Sequence, residues 1–175
     1  MAAPSLFALS LILGAAVMHA LWNAMIKGAG DRVLAMGLIN IGHAVPGAVM
    51  VLAFLPPADE AWPFIIASTV IHYFYYGFLL LAYRHGDLSQ VYPIARGVAP
   101  VLVALGGQWF AGEYLPLQAW LGILLVSAAI GFLMFAQRRQ PANRITVLAA
   151  LATGVIIASY SIVDGLGVRA SQNPF

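Results

Sequence analysis

Most charges of this chain fall in the gaps of a repeating pattern: runs of about twenty apolar residues, each closed by a short polar break. Six such runs can be read, over residues 6–26, 33–55, 62–83, 88–111, 117–136 and 145–167. Lys27-Gly28-Ala29-Gly30-Asp31-Arg32 ends the first, Pro56-Pro57-Ala58-Asp59-Glu60 the second and Arg84-His85-Gly86-Asp87 the third. Gly112-Glu113-Tyr114-Leu115-Pro116 follows the fourth, and the most polar stretch, Gln137 to Arg144, follows the fifth. Runs of this length suit a hydrocarbon layer of about 30 Å crossed at about 1.5 Å per helical residue. Helices are the physical choice, because lipid offers no partner to an unpaired backbone group. The ten-residue alternation of barrel strands is missing.

Of 175 residues, 62% are hydrophobic and 8% charged, where a soluble domain carries about 25% charge. So few charges cannot cover a water-facing surface. The expected class is an all-α integral membrane protein with six transmembrane helices, and a soluble enzyme is excluded. The first run has no positive region before it, so it reads as a retained span rather than a cleaved signal. The net charge of +2 comes from basic residues spread along the chain, which gives no nucleic-acid-binding face. With no cysteine there is no disulfide, thiolate chemistry or thiol metal site, and no cofactor is expected. The breaks after the odd-numbered runs hold Lys27, Arg32, Arg84, Arg138, Arg139 and Arg144, against Asp59, Glu60 and Glu113 after the even ones. The positive-inside rule then puts the N-terminus outside.

Lys27-Gly28-Ala29-Gly30-Asp31-Arg32 and Asp164-Gly165-Leu166-Gly167-Val168-Arg169 share the pattern charge-Gly-x-Gly-x-Arg at an offset of 137 residues. Five runs fit in that offset. Because five is odd, a second copy enters the membrane from the opposite side, as in inverted-repeat transporters. The expected organisation is a first five-helix repeat over residues 1–136, a linker over 137–144, and the opening helix of an inverted second repeat over 145–175. On this reading the chain is a truncated part of a ten-helix protein; otherwise a homodimer supplies the missing half.

Several stretches resemble EamA-type proteins of the drug/metabolite transporter superfamily. His19-Ala20-Leu21-Trp22-Asn23 looks like their opening helix. Tyr92-Pro93-Ile94-Ala95-Arg96-Gly97-Val98-Ala99-Pro100 followed by Gly112-Glu113 resembles their fourth, with Gly122 and Gly131 in the helix after it. Tyr160-Ser161-Ile162-Val163-Asp164-Gly165 is similar to their sixth. The resemblance implies two inverted five-helix halves that move small metabolites by alternating access, with no enzymatic activity. It also implies an N-terminus on the inner side, against the loop charges. The expected location is the bacterial inner (plasma) membrane, and the expected partners are the lipid bilayer and a small-molecule substrate.

Arg96 is the sharpest functional signal, since a cation well inside a span is costly unless it faces protein or water. Pro93 and Pro100 bracket it and free backbone carbonyls. One reading has Arg96 pair with an anionic group on a substrate; the other has it snorkel to the headgroups or bond neighbouring carbonyls. His19 and Asn23 share a face of the first helix, with Lys27 at its end, and either line a pathway or bond adjacent helices. His72 and Tyr76 belong to an aromatic-rich third helix, readable as a cavity wall or as packing. Pro46, near His43, marks a hinge or a tolerated kink in the second helix. The candidate substrate-binding set is therefore Arg96, His19, Asn23, His72 and Tyr76, with Pro93, Pro100 and Pro46 as hinge positions. His19, His43 and His72 also admit a membrane-embedded metal or haem protein, and a non-transporting structural protein is the third class. The sequence holds no His-Glu-x-x-His, nucleophile-elbow or phosphate-loop motif. Glu113 reads as a helix-ending residue, and Asp164 as solvated near a helix end.

Overall fold

The computed structural model describes residues 5–53, 56–86, 88–136 and 143–171. Among them the regular structure is wholly helical, with six α-helices and one 3-10 turn. Most of the expected linker, residues 137–142, and the C-terminal residues 172–175 lie outside the described residues. The chain divides into two bodies, Met1–Leu55 and Pro56–Phe175.

The first body is a helix pair, α1 (Leu6–Gly28) and α2 (Arg32–Ala53). Both helices start on a side-chain cap, which satisfies amides that have no partner within the helix. Ser5 Oγ accepts from the Ala8 amide at 3.1 Å. Asp31 Oδ1 accepts from Val33 and Leu34 at 2.9 and 3.0 Å, and its negative charge suits the positive end of the helix dipole. Apolar side chains of the pair are broadly exposed, Leu6 to 86% and Leu52 to 88%, while Met36 is buried. In water such a surface would aggregate. In hydrocarbon it needs no cover, because each helix satisfies its own backbone.

The second body holds a 3-10 turn (Asp59–Ala61), α3 (Trp62–His85), α4 (Leu88–Phe110), α5 (Leu117–Ala136) and α6 (Arg144–Ala170). Helix α6 packs against both α3 and α4, and α5 packs on the far side of α4. The face α6 buries is written in small residues: Thr146, Ala149, Ala150, Thr153, Gly154, Ile157 and Ala158. Their alternating spacing of three and one keeps them on one helical face. Opposite them on α4 are Val91, Ala95 and Ala99, each at most 4% exposed. A Cβ added to Gly154 would sit 2.9 Å from the Ala95 carbonyl oxygen. The two backbones meet there because no side chain stands between them, the usual way helices associate in lipid.

Among the described residues, α2, α3 and α6 are long and apolar enough to cross a bilayer, and α1 and α5 contain shorter apolar stretches. Helix α4 matches the expected fourth run in length but carries Arg96, two prolines and several glycines, which dilute its apolarity. The sixth helix runs on through Asp164-Gly165-Leu166-Gly167-Val168-Arg169 to Ala170, whereas the matching stretch after α1 breaks at Ala29. The second glycine of the later copy has a packing role. A Cβ at Gly167 would lie 2.9 Å from the Cβ of Phe64 on α3.

Candidate functional site

Helix α4 builds the site. Pro93 and Pro100 lie inside it and the helix continues through both. Each proline lacks the amide that would bond the carbonyl four residues earlier, so the carbonyls of Ser89 and Arg96 lose that helical donor. Arg96, Ala99, Pro100, Val103, Ala104 and Gly107 fall at helical spacing on one face. A cavity of about 440 Å³ opens along that face. Glu113 and Leu115, from the connection to α5, close one end. Ile123 of α5 and Ile157 of α6 complete the wall. The space exists because α4 turns small side chains and a proline toward it. The volume is within the usual range of about 300–1,000 Å³ for small-molecule pockets.

The wall carries two charged residues, Arg96 and Glu113. The Arg96 guanidinium lies 5.6 Å from the centre of the Tyr92 ring, within cation–π reach. Glu113 is set by the backbone around it. Gly112 has a φ of 65°, a left-handed conformation that favours glycine. The amides of Ala111 and Glu113 then both donate to the Gly107 carbonyl, at 3.0 and 3.1 Å. The Glu113 carboxylate forms an ion pair with Arg169 on the last turn of α6.

Helices α3 and α6 also share a ring cluster. The His72 ring stacks on Tyr160 at 4.2 Å between centroids. Tyr75 meets Tyr76 and Tyr160 edge-on at 5.3 and 6.0 Å. His72 Nδ1 donates to the Ser68 carbonyl at 2.8 Å, which fixes the ring's orientation, since a carbonyl can only accept.

Of the five candidate binding residues, Arg96 lines the cavity. His72 and Tyr76 belong to the ring cluster and are not among the lining residues. His19 is half-buried on α1, in the other body, and the Asn23 side chain lies outside the described residues. Pro100 is on the cavity wall; Pro93 sits on α4 away from the lining; Pro46 is exposed within α2. Asp164 is exposed and lies within α6, which continues six residues past it. Among the described residues no group of three or more His, Asp or Glu is placed to hold a metal ion.

Sequence reasoning missed three contributors. Glu113 does follow the end of α4, but it also forms part of the cavity wall and meets Arg169. Tyr75, 8% exposed, is the buried ring of the aromatic stretch, while its neighbours Tyr73 and Phe74 are 74% and 60% exposed. Tyr160 is the partner of His72. The phase of α3 could have separated Tyr75 from its neighbours, because Leu79 and Ala82, also buried, continue its face at helical spacing. Nothing in the local sequence pairs residue 113 with residue 169.

The model of the EamA-like transporter family matches residues 6–135. No curated protein and no solved structure matches the chain.

Proposed function

The chain belongs to the EamA-like transporter family, and from that premise we propose that the α4 cavity is its substrate pathway, taking small anionic or amphipathic metabolites. It is an integral membrane protein of a family that transports small molecules and is not typically enzymatic. The observation that carries the reading is the place of Arg96, on the wall of a cavity otherwise lined largely by Ala, Val, Ile, Leu, Pro and Gly. A cation among such side chains attracts an anionic head, and the apolar wall accepts the rest of the molecule. The small residues leave room for it without a rearrangement of α4.

The mechanism is alternating access, in which the cavity faces one side of the bilayer and then the other. The bilayer is the bacterial inner membrane. Helix α6 is read as the opening helix of an inverted second repeat, in a ten-helix arrangement or in a homodimer of this chain. This assignment is supported by the shared glycine-arginine pattern and by the position of α6 outside the residues the family model matches. Bilayer and substrate are the partners, and nucleic acid has no role.

The test is uptake into proteoliposomes from a mixture of anionic, neutral and cationic metabolites, read by mass spectrometry. The native protein should enrich anionic solutes over protein-free vesicles. Arg96→Gln should lower that enrichment at least about tenfold, the scale of one hydrogen bond to a charged group. Unchanged enrichment in a folded Arg96→Gln protein removes the anion assignment.

A further inference from the structure

One end of the α4 cavity is walled by a connection between helices. Residues 112–116 are neither helix nor strand, and two of them, Glu113 and Leu115, are on the cavity wall. Backbone bonds tie this connection to its own two helices. On the α4 side the amides of Ala111 and Glu113 donate to the Gly107 carbonyl at 3.0 and 3.1 Å. On the α5 side the amides of Ala119 and Trp120 donate to the Pro116 carbonyl at 3.0 and 3.2 Å. A side-chain contact ties it to a third helix, the ion pair of Glu113 with Arg169 on α6. We infer that Arg169 is a positioning residue for the pathway: through Glu113 it holds the connection across the cavity end, and that end opens to its side of the membrane when the pair parts. The inference rests on the proposed substrate pathway but not on the sign of the solute.

Arg169 stands on the fixed side of this contact. The last turns of α6 are docked on α3, where Gly167 meets Phe64. The Ala58 amide donates to the Ser171 carbonyl at 3.4 Å, and the Ser171 amide donates to the Gly167 carbonyl at 2.9 Å. The end of α4 is held to α6 as well, since Gly106 leaves no room for a Cβ beside Ile162. The part left to move is the connection and the start of α5. The side chains of Arg169 and Glu113 are 52% and 44% exposed, so water and salt reach them. A pair of that kind favours the closed position by a factor of about five at most. Such a bias suits a wall that must open and shut in every cycle, because it sets the resting position without locking it.

The chain has no cysteine, so a single introduced thiol reports access to the cavity. Val103→Cys places it on the wall, with Ala104→Cys as a second position. The probe is an uncharged, membrane-impermeant maleimide bearing a short polyethylene glycol chain, so labelling follows access rather than potential. It is applied to one face of proteoliposomes at a time. A separate Tyr114→Cys protein, its thiol on the exposed connection, identifies the face on which Glu113 lies. Gel filtration and thermal melting confirm that each variant is folded. From that face, adding Arg169→Gln should speed labelling by about twofold to fivefold. Glu113→Gln should do the same, and the two together should add nothing beyond either. Arg169→Lys should keep the parent rate. From the opposite face none of these changes should alter the rate, whereas a merely loosened fold would speed both. Labelling that ignores Arg169→Gln, or that rises equally from the two faces, overturns this inference and leaves the pathway standing. If the Arg96→Gln uptake test fails while the one-sided pattern holds, the anion assignment falls and the positioning role stands. Thiols unreactive at both positions from both faces, in the parent and with Arg169→Gln, overturn the pathway and the inference together.

Discussion

In the helix pair Met1–Leu55, a Cβ added to Gly14, Gly37, Gly42 or Gly47 meets nothing within 4 Å. In Pro56–Phe175, a Cβ at Gly154 runs into the Ala95 carbonyl and one at Gly106 into the Ile162 side chain. Both bodies are built from apolar helices, and both contain glycine. What separates them is whether the glycine brings a second helix close. Apolar residues put a helix into hydrocarbon but give it no reason to choose a neighbour there, since lipid tails are as apolar as leucine. Close approach of small residues supplies the choice, and in the second body it brings α6 onto α3 and α4.

The largest test of this contrast is Gly154→Leu. It should force α4 and α6 apart, destabilise the second body by about 3 kcal/mol or more, and lower the midpoint of a thermal melt in detergent. Gly42→Leu, the matching change in the first body, should not destabilise it and should gain up to about 1 kcal/mol of helix propensity. Equal losses at the two positions would break the comparison. Next in size are the helix caps, where the bodies should behave alike. Asp31→Ala at the start of α2 and Asn143→Ala at the start of α6, where Oδ1 accepts from the Ile145 amide at 3.1 Å, should each cost about 1 kcal/mol. A much larger loss at Asn143 would show that α6 also depends on its first turn for docking. The smallest effect is a gain. Gly14→Ala should stabilise α1 by up to about 1 kcal/mol through helix propensity, raising the melting midpoint slightly, because nothing is there to clash with the methyl group.

Much of this architecture was legible in the residues. Scarce charge and the twenty-residue rhythm mark where helices begin and end, because those signals are local and set by transfer energies. Arg96 stood out for the same reason, as a charge where hydrocarbon permits few. The small-residue face of α6 came from the structure, and so did its partners. Small residues advertise close contact without naming the helix that comes close. Glu113 shows the limit most clearly. Read locally it terminates α4, and only the fold brings Arg169, 56 positions further on, to it. His72 and Tyr76 belong to the same aromatic-rich helix, yet the ring that stacks on His72 comes from Tyr160, on a helix far along the chain.

The Gly154–Ala95 contact has a mechanical consequence. With main chain resting on main chain, α4 and α6 cannot slide or roll past each other without collision, so they behave as a single rigid spar. The opposite seam is built differently. At Gly97, an added Cβ would find Ile130 and the Ser127 carbonyl of α5 at an ordinary 3.6 Å. Any breathing of the chamber that α4 borders is therefore expected along the α5 edge, with the spar as its fixed wall.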